Sequence, residues 1–374
     1  MTTTDHPPAG SDAAIARMMS LQPDSDVVDL SIGEPDQPLP APLAETAIAS
    51  LREGRTGYTA KLGIPELREA IAVDTGDDVA VEDVVVTAGG TGAVALAIMA
   101  AGAAGLVVPD PTWPNYLVFA EQLGYPVRRY RQGPSGDDFL PLDEIEAGLR
   151  DGCRLVVINS PSNPTGAVAS AGALAALVEL ARRHGATILS DEAYESIVFS
   201  GGRAPSPLDV GGADVTFAAR TFSKRFSMTG LRLGSIVSPA RFRRDIGALH
   251  GTTAGCAPVT AQIVGLEALN TLADRGAELS AVYRDRWVRA ASVLGDRLAS
   301  PSPDGLGGFY LWIDARDTGR TEEDLVAELS RRSVAVSAGS VYSAQPGFLR
   351  ASLTAPDDRL DDALATIAAV LDGA

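Results

Sequence analysis

The stretch Val84-Val-Val-Thr-Ala-Gly-Gly-Thr-Gly-Ala-Val-Ala-Leu-Ala-Ile-Met-Ala-Ala-Gly-Ala-Ala-Gly-Leu-Val-Val-Pro109 decides the fold. Its β-branched start, Val84 to Ala88, suits a strand, the following glycines suit a tight turn, and an Ala-rich helical run then leads into a second apolar strand, Leu106 to Pro109. The weakly polar run Ala93 to Val108 is too short to cross a membrane and is interrupted by Gly102 and Gly105. A buried helix passing into a buried strand is the better account. Working outward, Val/Ile/Leu runs alternate with Ala-rich amphipathic segments from about residue 64 to 270, adding strands at Arg154 to Asn159, Thr187 to Ser190, Val215 to Ala219 and Leu231 to Val237. Each is almost continuously apolar, as strands covered on both faces must be. The expected fold is α/β, with a mainly parallel central sheet and helices on both faces.

Beyond Ala257 the pattern changes. A long helical stretch runs through Tyr283 and Trp287 to Leu298, Gly308 to Ile313 and Val334 to Ser337 suit short strands, and a last helix spans Asp357 to Leu371. This predicts a smaller α+β domain. The expected division is a flexible terminus at 1–12, an N-terminal segment of the small domain at 13–42, a large domain at 43–270 and the small C-terminal domain at 271–374. Pro38 to Pro42 marks the entry into the large domain.

A chain of 374 residues is long enough for one large core with a smaller companion. With 45% hydrophobic and 21% charged residues it has a globular composition, and a formal charge of −17 argues against nucleic-acid binding. Cys153 and Cys256 lie far apart without CxxC spacing, so neither a disulfide framework nor a thiolate metal site is expected. The first residues lack the basic start and apolar run of a signal peptide. A cytoplasmic protein without a membrane partner is the expectation.

Five segments have the residue types for chemistry. Thr87 to Ala93 leaves a strand and opens a helix, where free N–H groups and the helix dipole favour a phosphate. Gly90, Gly92 and Ala95 also satisfy G-x-G-x-x-A, with Asp110 about twenty residues on, so a dinucleotide site and a plain turn are alternatives. Pro109-Asp-Pro-Thr-Trp-Pro-Asn-Tyr116 offers the indole of Trp113 on a stiffened loop, either to stack on a heteroaromatic ring or as a hydrophobic plug. Asn159-Ser-Pro-Ser-Asn-Pro-Thr-Gly166 presents Asn163 as an amide donor or a simple turn residue. In Ser190-Asp-Glu-Ala-Tyr194, Asp191 can face a ligand cation or cap a helix, and the Tyr194 hydroxyl can reach the same ligand.

The fifth is Arg220-Thr-Phe-Ser-Lys-Arg-Phe-Ser-Met-Thr-Gly-Leu-Arg-Leu-Gly234. An isolated lysine is normally a solvated surface charge. Lys224, however, follows an apolar strand, sits among Phe222, Phe226 and Met228, and has Ser223 and Arg232 nearby, both suited to a phosphate. Partial burial lowers the pKa of such an amine and frees it for Schiff-base chemistry.

In this order and spacing the segments resemble the class I/II aminotransferases of fold type I, the aspartate aminotransferase-like enzymes that use pyridoxal 5'-phosphate, from about Asp29 to Leu371. Gly33-Glu-Pro-Asp36, Tyr58-Thr-x-x-x-Gly-Ile-Pro-Glu-Leu-Arg68 and Gly347-Phe-Leu-Arg-Ala-Ser352 extend the match. The resemblance implies a Schiff base on Lys224, which also shuttles a proton, and Asp191 paired with the pyridine nitrogen. Tyr194 and Asn163 would bond the phenolic oxygen, and Trp113 would stack on the ring. The N–H groups of Gly90 and Thr91, with Ser223 and Arg232, would hold the phosphate. Arg350 would anchor the substrate carboxylate, with Gly33 and Asn163 beside it. Tyr58 would reach the phosphate of a neighbouring subunit, which implies a homodimer with shared sites.

Trp113 looks like the dicarboxylate-handling branch, yet no second arginine can be assigned to a side-chain carboxylate. Arg225, Tyr310 and Tyr342 are pocket candidates whose simpler reading is packing or surface. The same scaffold supports a lyase, cyclase or oxidase outcome. An NAD-dependent dehydrogenase built on Gly90-Thr-Gly92 would leave Lys224, Asp191 and Arg350 without a joint role.

Overall fold

The computed structural model describes residues 26–76 and 78–373; the expected flexible terminus and the segment 13–25 lie outside the described residues. In chain order the strands are β1 (Val28–Asp29), β2 (Val84–Thr87), β3 (Leu106–Asp110), β4 (Val127–Arg131), β5 (Leu155–Asn159) and β6 (Thr187–Asp191). They continue with β7 (Thr216–Thr221), β8 (Gly234–Val237), β9 (Tyr310–Asp314), β10 (Val334–Ala335), β11 (Ser337–Ala338) and β12 (Phe348–Ser352).

The main sheet has seven strands in the order β2-β8-β7-β6-β5-β3-β4. Only β8 runs against its neighbours β2 and β7; the β7, β6, β5, β3, β4 pairs are parallel. The two strands of the opening stretch, β2 and β3, are therefore not neighbours, because β8, β7, β6 and β5 stand between them. Helices such as Ala171–Arg183 cover the sheet, with Leu174, Leu177, Val178 and Ala181 buried at helical spacing and the Ser170 hydroxyl accepting the Ala173 N–H at 3.0 Å.

Several elements differ from the sequence expectation; the segment Val334 to Ser337, for one, is divided between β10 and β11, which lie in different sheets. Strand β4 was not anticipated: in Val-Arg-Arg-Tyr-Arg only Tyr130 is buried, as befits the sheet's outer strand. Strand β8 begins at Gly234 rather than Leu231, because Thr229–Leu231 form a single 3-10 turn and Arg232 has φ +56°.

The C-terminal part holds the antiparallel sheet β11-β12-β9, while β1 pairs in parallel with β10. This pairing lays the N-terminal segment beside the helices Arg275–Leu294 and Asp357–Leu371, over a core that includes Tyr283, Trp287, Phe309 and Leu349. Among the described residues no helix is long and apolar enough to cross a membrane.

Backbone crowding at the start of β8 fixes the site's floor. A Cβ on Gly234 would lie 2.5 Å from the Gly89 carbonyl carbon, 2.6 Å from the Gly90 nitrogen and 2.7 Å from the Arg220 oxygen. None of these is a flexible side-chain end. Gly234→Ala is therefore expected to cost about 3 kcal/mol, read as a fall in Tm and in cofactor retention.

Candidate active site

The carboxyl ends of β3, β5, β6 and β7 and the reversed start of β8 share one edge of the sheet, and a cavity of about 440 Å³ opens there. Gly33, Gly90, Thr91, Trp113, Asn163, Asp191, Tyr194, Ser223, Lys224, Arg232 and Arg350, expected from the sequence, all line it.

Asp191 ends β6 and is 8% exposed. Its Oδ2 accepts the Tyr116 hydroxyl at 2.5 Å and its Oδ1 accepts the Ala193 N–H at 3.2 Å. Burial pushes the carboxyl up to about 6, while the Tyr116 and Ala193 bonds pull it back. No helix follows Asp191, since residues 193–196 form a turn, so the helix-cap reading does not describe this residue. Tyr116 was not singled out from the sequence. The available signal was its position three residues after Trp113, whose ring meets it edge to face at 5.2 Å. Tyr116→Phe removes a bond that favours the carboxylate, so the Asp191 pKa rises and the acid limb of cofactor binding moves to higher pH. Turnover at neutral pH is expected to fall about threefold to tenfold.

Asn159 ties the next strand to this point. Its Nδ2 donates to the Asp191 carbonyl at 2.9 Å and its Oδ1 accepts the Asn163 N–H at 2.7 Å. The Asn163 Oδ1 accepts from Arg350 Nη1 at 3.2 Å, which leaves its amide nitrogen to donate. The Tyr194 hydroxyl lies 2.9 Å from that of Tyr310.

Lys224 stands on the short helix Phe222–Arg225, which Thr221 caps by accepting the Ser223 N–H at 3.2 Å. Its Nζ donates to the Gly33 carbonyl at 2.5 Å. The side chain keeps a partial opening to the cavity, but the surrounding protein removes most of its solvation and lowers the amine to about 8. Glu34 and Asp191 oppose that shift; Arg232 and Arg350 reinforce it.

At the other end, Gly89 and Gly90 open the helix Gly89–Ala101, and Arg232 lies so close that a Cβ on Gly89 would meet its Nη2 at 2.5 Å. Arg350 sits in β12, 3% exposed, between the rings of Tyr310 (4.4 Å) and Tyr342 (4.6 Å). It donates to the Ser31 carbonyl, and its Nε is buried without a partner among the described groups. Tyr310 and Tyr342 therefore belong to the site rather than to plain packing.

Three candidates lie elsewhere. Tyr58 is 95% exposed. Arg225 turns away to Asp74 at 2.8 Å. Asp110 binds Arg129 at 3.1 Å and the Ser343 hydroxyl at 2.7 Å and does not line the cavity, so the ribose contact that a dinucleotide site requires is missing.

Residues 25–367 match the family model for aminotransferase class I and II. The chain belongs to this family. It is 34% identical to an aspartate aminotransferase of Thermotoga maritima, over 91% of this chain and 90% of that one. It is 32% identical to a valine–pyruvate aminotransferase of Mycobacterium tuberculosis, over 91% and 90%. The solved structure of Thermus thermophilus aspartate aminotransferase with maleate superposes with a TM-score of 0.84 at 30% identity, covering 97% of both chains.

This aminotransferase is thus a pyridoxal-phosphate-dependent enzyme of fold type I, and the residues present fit that cofactor. Asp191 is a buried carboxylate, raised by desolvation, that lines the cavity where a protonated ring nitrogen would pair with it. Gly89, lacking a Cβ, lets the Arg232 guanidinium pack against the start of the helix Gly89–Ala101, which sets a cation beside the free N–H groups where a phosphate would sit.

Proposed function

We propose that the aminotransferase moves the amino group of a monocarboxylic L-amino acid with an uncharged side chain to a 2-oxo acid, with Lys224 carrying the proton transfers. The supporting observation is the set of cations. Among the described residues lining the cavity these are Lys224, Arg232 and Arg350. Arg232 is assigned to the phosphate, Lys224 to the chemistry and Arg350 to the α-carboxylate, so among the described residues of this chain no cavity-lining cation remains for a second carboxylate. The position of Trp113, which resembles the dicarboxylate-handling branch, carries less weight because an indole serves ring stacking for any substrate.

Pyridoxal phosphate, when bound, supplies an electron sink for the substrate Cα and a carbon that takes up the amino group. Asp191 offers its charge to the ring nitrogen. Tyr194 and the Asn163 amide nitrogen would donate to the ring oxygen, and Trp113 would stack on the ring. The N–H groups of Gly90 and Thr91, the Ser223 hydroxyl and the Arg232 guanidinium would hold the phosphate. Arg350 grips the α-carboxylate beside Asn163 and the Gly33 backbone, and so fixes which bond at Cα is aligned to break. With its amine lowered to about 8, Lys224 is a free base in a useful fraction of molecules near neutral pH. It would accept the substrate Cα proton and hold it for delivery to the carbon that takes up the amino group.

A cytoplasmic homodimer completes the proposal. The exposed Tyr58 ring suits a role on a neighbour's phosphate, and Cys153 and Cys256 are free thiols. Sedimentation and a Tyr58→Phe variant with weakened cofactor retention test the dimer. A donor panel with pyruvate as acceptor tests the substrate: valine, leucine or phenylalanine should exceed aspartate in kcat/KM by about tenfold or more. Aspartate as the best donor overturns the substrate reading. Ammonia release without a new amino acid would point to the lyase or oxidase outcome.

A further inference from the structure

Behind the Lys224 turn lies a second hollow of about 20 Å³, bordered by Asp74, Thr75, Glu195, Arg220 and Arg225. That is room for one water molecule. Its walls come from separate elements: Asp74 and Thr75 end the helix Pro65–Thr75, Glu195 follows β6, Arg220 lies in β7, and Arg225 ends the helix that carries Lys224.

Asp74 pairs with Arg225 at 2.8 Å and lies 3.9 Å from Arg220. The Arg220 Nε donates to Glu192 at 2.9 Å, and Glu192 also accepts the hydroxyls of Ser190 (3.0 Å) and Ser206 (2.5 Å). The two arginines that bracket Lys224 are thus drawn away from the catalytic cavity, and Lys224 alone of the turn's cations faces it.

Three polar groups on this wall remain unsatisfied. Arg220 Nη2, Arg225 Nε and Thr75 Oγ1 are buried without a hydrogen-bond partner among the described groups. Arg220 is 6% exposed and Thr75 1%. Leaving such groups unpaired is costly, most of all for a guanidinium. Glu195, itself 6% exposed, is the remaining carboxylate of the wall. Burial pushes it up to about 7; Arg220 and Arg225 pull it down, while Asp74 and Glu192 raise it further.

We propose that the hollow binds one water, which accepts from Arg220 and Arg225 and donates to Glu195, and that the clamp so completed positions Lys224. A chloride ion would suit the arginines, but it would also face the carboxylates of Asp74 and Glu195. Arg220 and Arg225 act on Lys224 through the backbone of the Thr221-capped helix between them. The role assigned to the clamp rests on Lys224 as the reacting amine; the water and the titration of Glu195 do not.

A high-resolution crystal structure of the holoenzyme should show a single water within hydrogen-bond distance of Arg220 Nη2 and Glu195. An empty hollow, or a halide found there after a bromide soak, overturns the water site. Asp74→Asn should lower kcat about tenfold per cofactor-loaded site, with KM for the amino donor within about twofold, because Arg350 is untouched. Asp74→Glu should restore part of the loss. A lower Tm with unchanged kcat would mark a merely structural cluster and overturn the positioning role. Glu195→Gln supplies a readout independent of turnover. A carboxyl raised from its ordinary 4.5 to about 7 contributes stability that is full below 4.5 and lost as the pH rises through 7. The Tm of Glu195→Gln relative to the native enzyme should therefore climb between pH 5 and 8, and a flat difference overturns the titration.

Discussion

Lys224→Ala is expected to abolish turnover, by about 10⁴-fold or more, while leaving the fold intact. The amine is the only basic nitrogen of its turn within the cavity, lowered to about 8 and held against the Gly33 carbonyl. No neighbour is placed to inherit its task, since Arg225 is committed to Asp74 and an arginine holds its proton too firmly to serve as a base. Stability should change little, because truncation also removes a poorly solvated amine. The chain's composition makes the check unusually clean: its lysines are Lys61 and Lys224 alone. Borohydride treatment of the cofactor-loaded enzyme, followed by peptide mass mapping, should mark Lys224 and nothing else. Marking at Lys61, or retained turnover in Lys224→Ala, would remove the central residue from the mechanism.

Arg350→Ala is expected to lower kcat/KM by about 10² to 10³, with KM rising and kcat falling together. The guanidinium is clamped by two tyrosine rings and by the Ser31 carbonyl, with Nε unused, so its orientation is fixed before any carboxylate arrives. Alanine removes that anchor and strips the Asn163 Oδ1 of its donor. Arg350→Lys should recover little, since an ammonium cannot reproduce a planar fork between two rings. Steady-state kinetics with an amino acid and with its amide, which lacks the carboxylate charge, separates the contributions. The penalty should be large for the acid and small for the amide. Equal penalties would assign Arg350 to packing.

The sheet was legible where burial on both faces leaves a continuous apolar run. Strands β5 and β6 appear within a residue of expectation, and the last helix begins and ends as read. Strand β4 was not legible, since an outer strand with three arginines in five residues carries almost no apolar signal. At the cavity, motif order located Lys224, Asp191, Asn163 and Arg232. The Tyr116 contact joins residues 75 apart in sequence, and no local pattern encodes it. The same holds for Arg225, whose partner Asp74 is 151 residues away. Tyr310 and Tyr342 resembled packing residues because their role depends on β12 lying between β9 and β11.

The reversed direction of β8 governs how the gene can tolerate insertions. Because Thr221 faces Gly234 across a hairpin, the interval from Lys224 to Arg232 works as a ruler. An added residue there would move the lysine and the phosphate arginine out of step. The intervals from Asn163 to Asp191 and from Asp191 to Lys224 are different: each includes an exposed stretch, 182–183 and 200–203, which can lengthen without shifting the strand ends it joins. Length variation should therefore collect in those stretches and spare the hairpin.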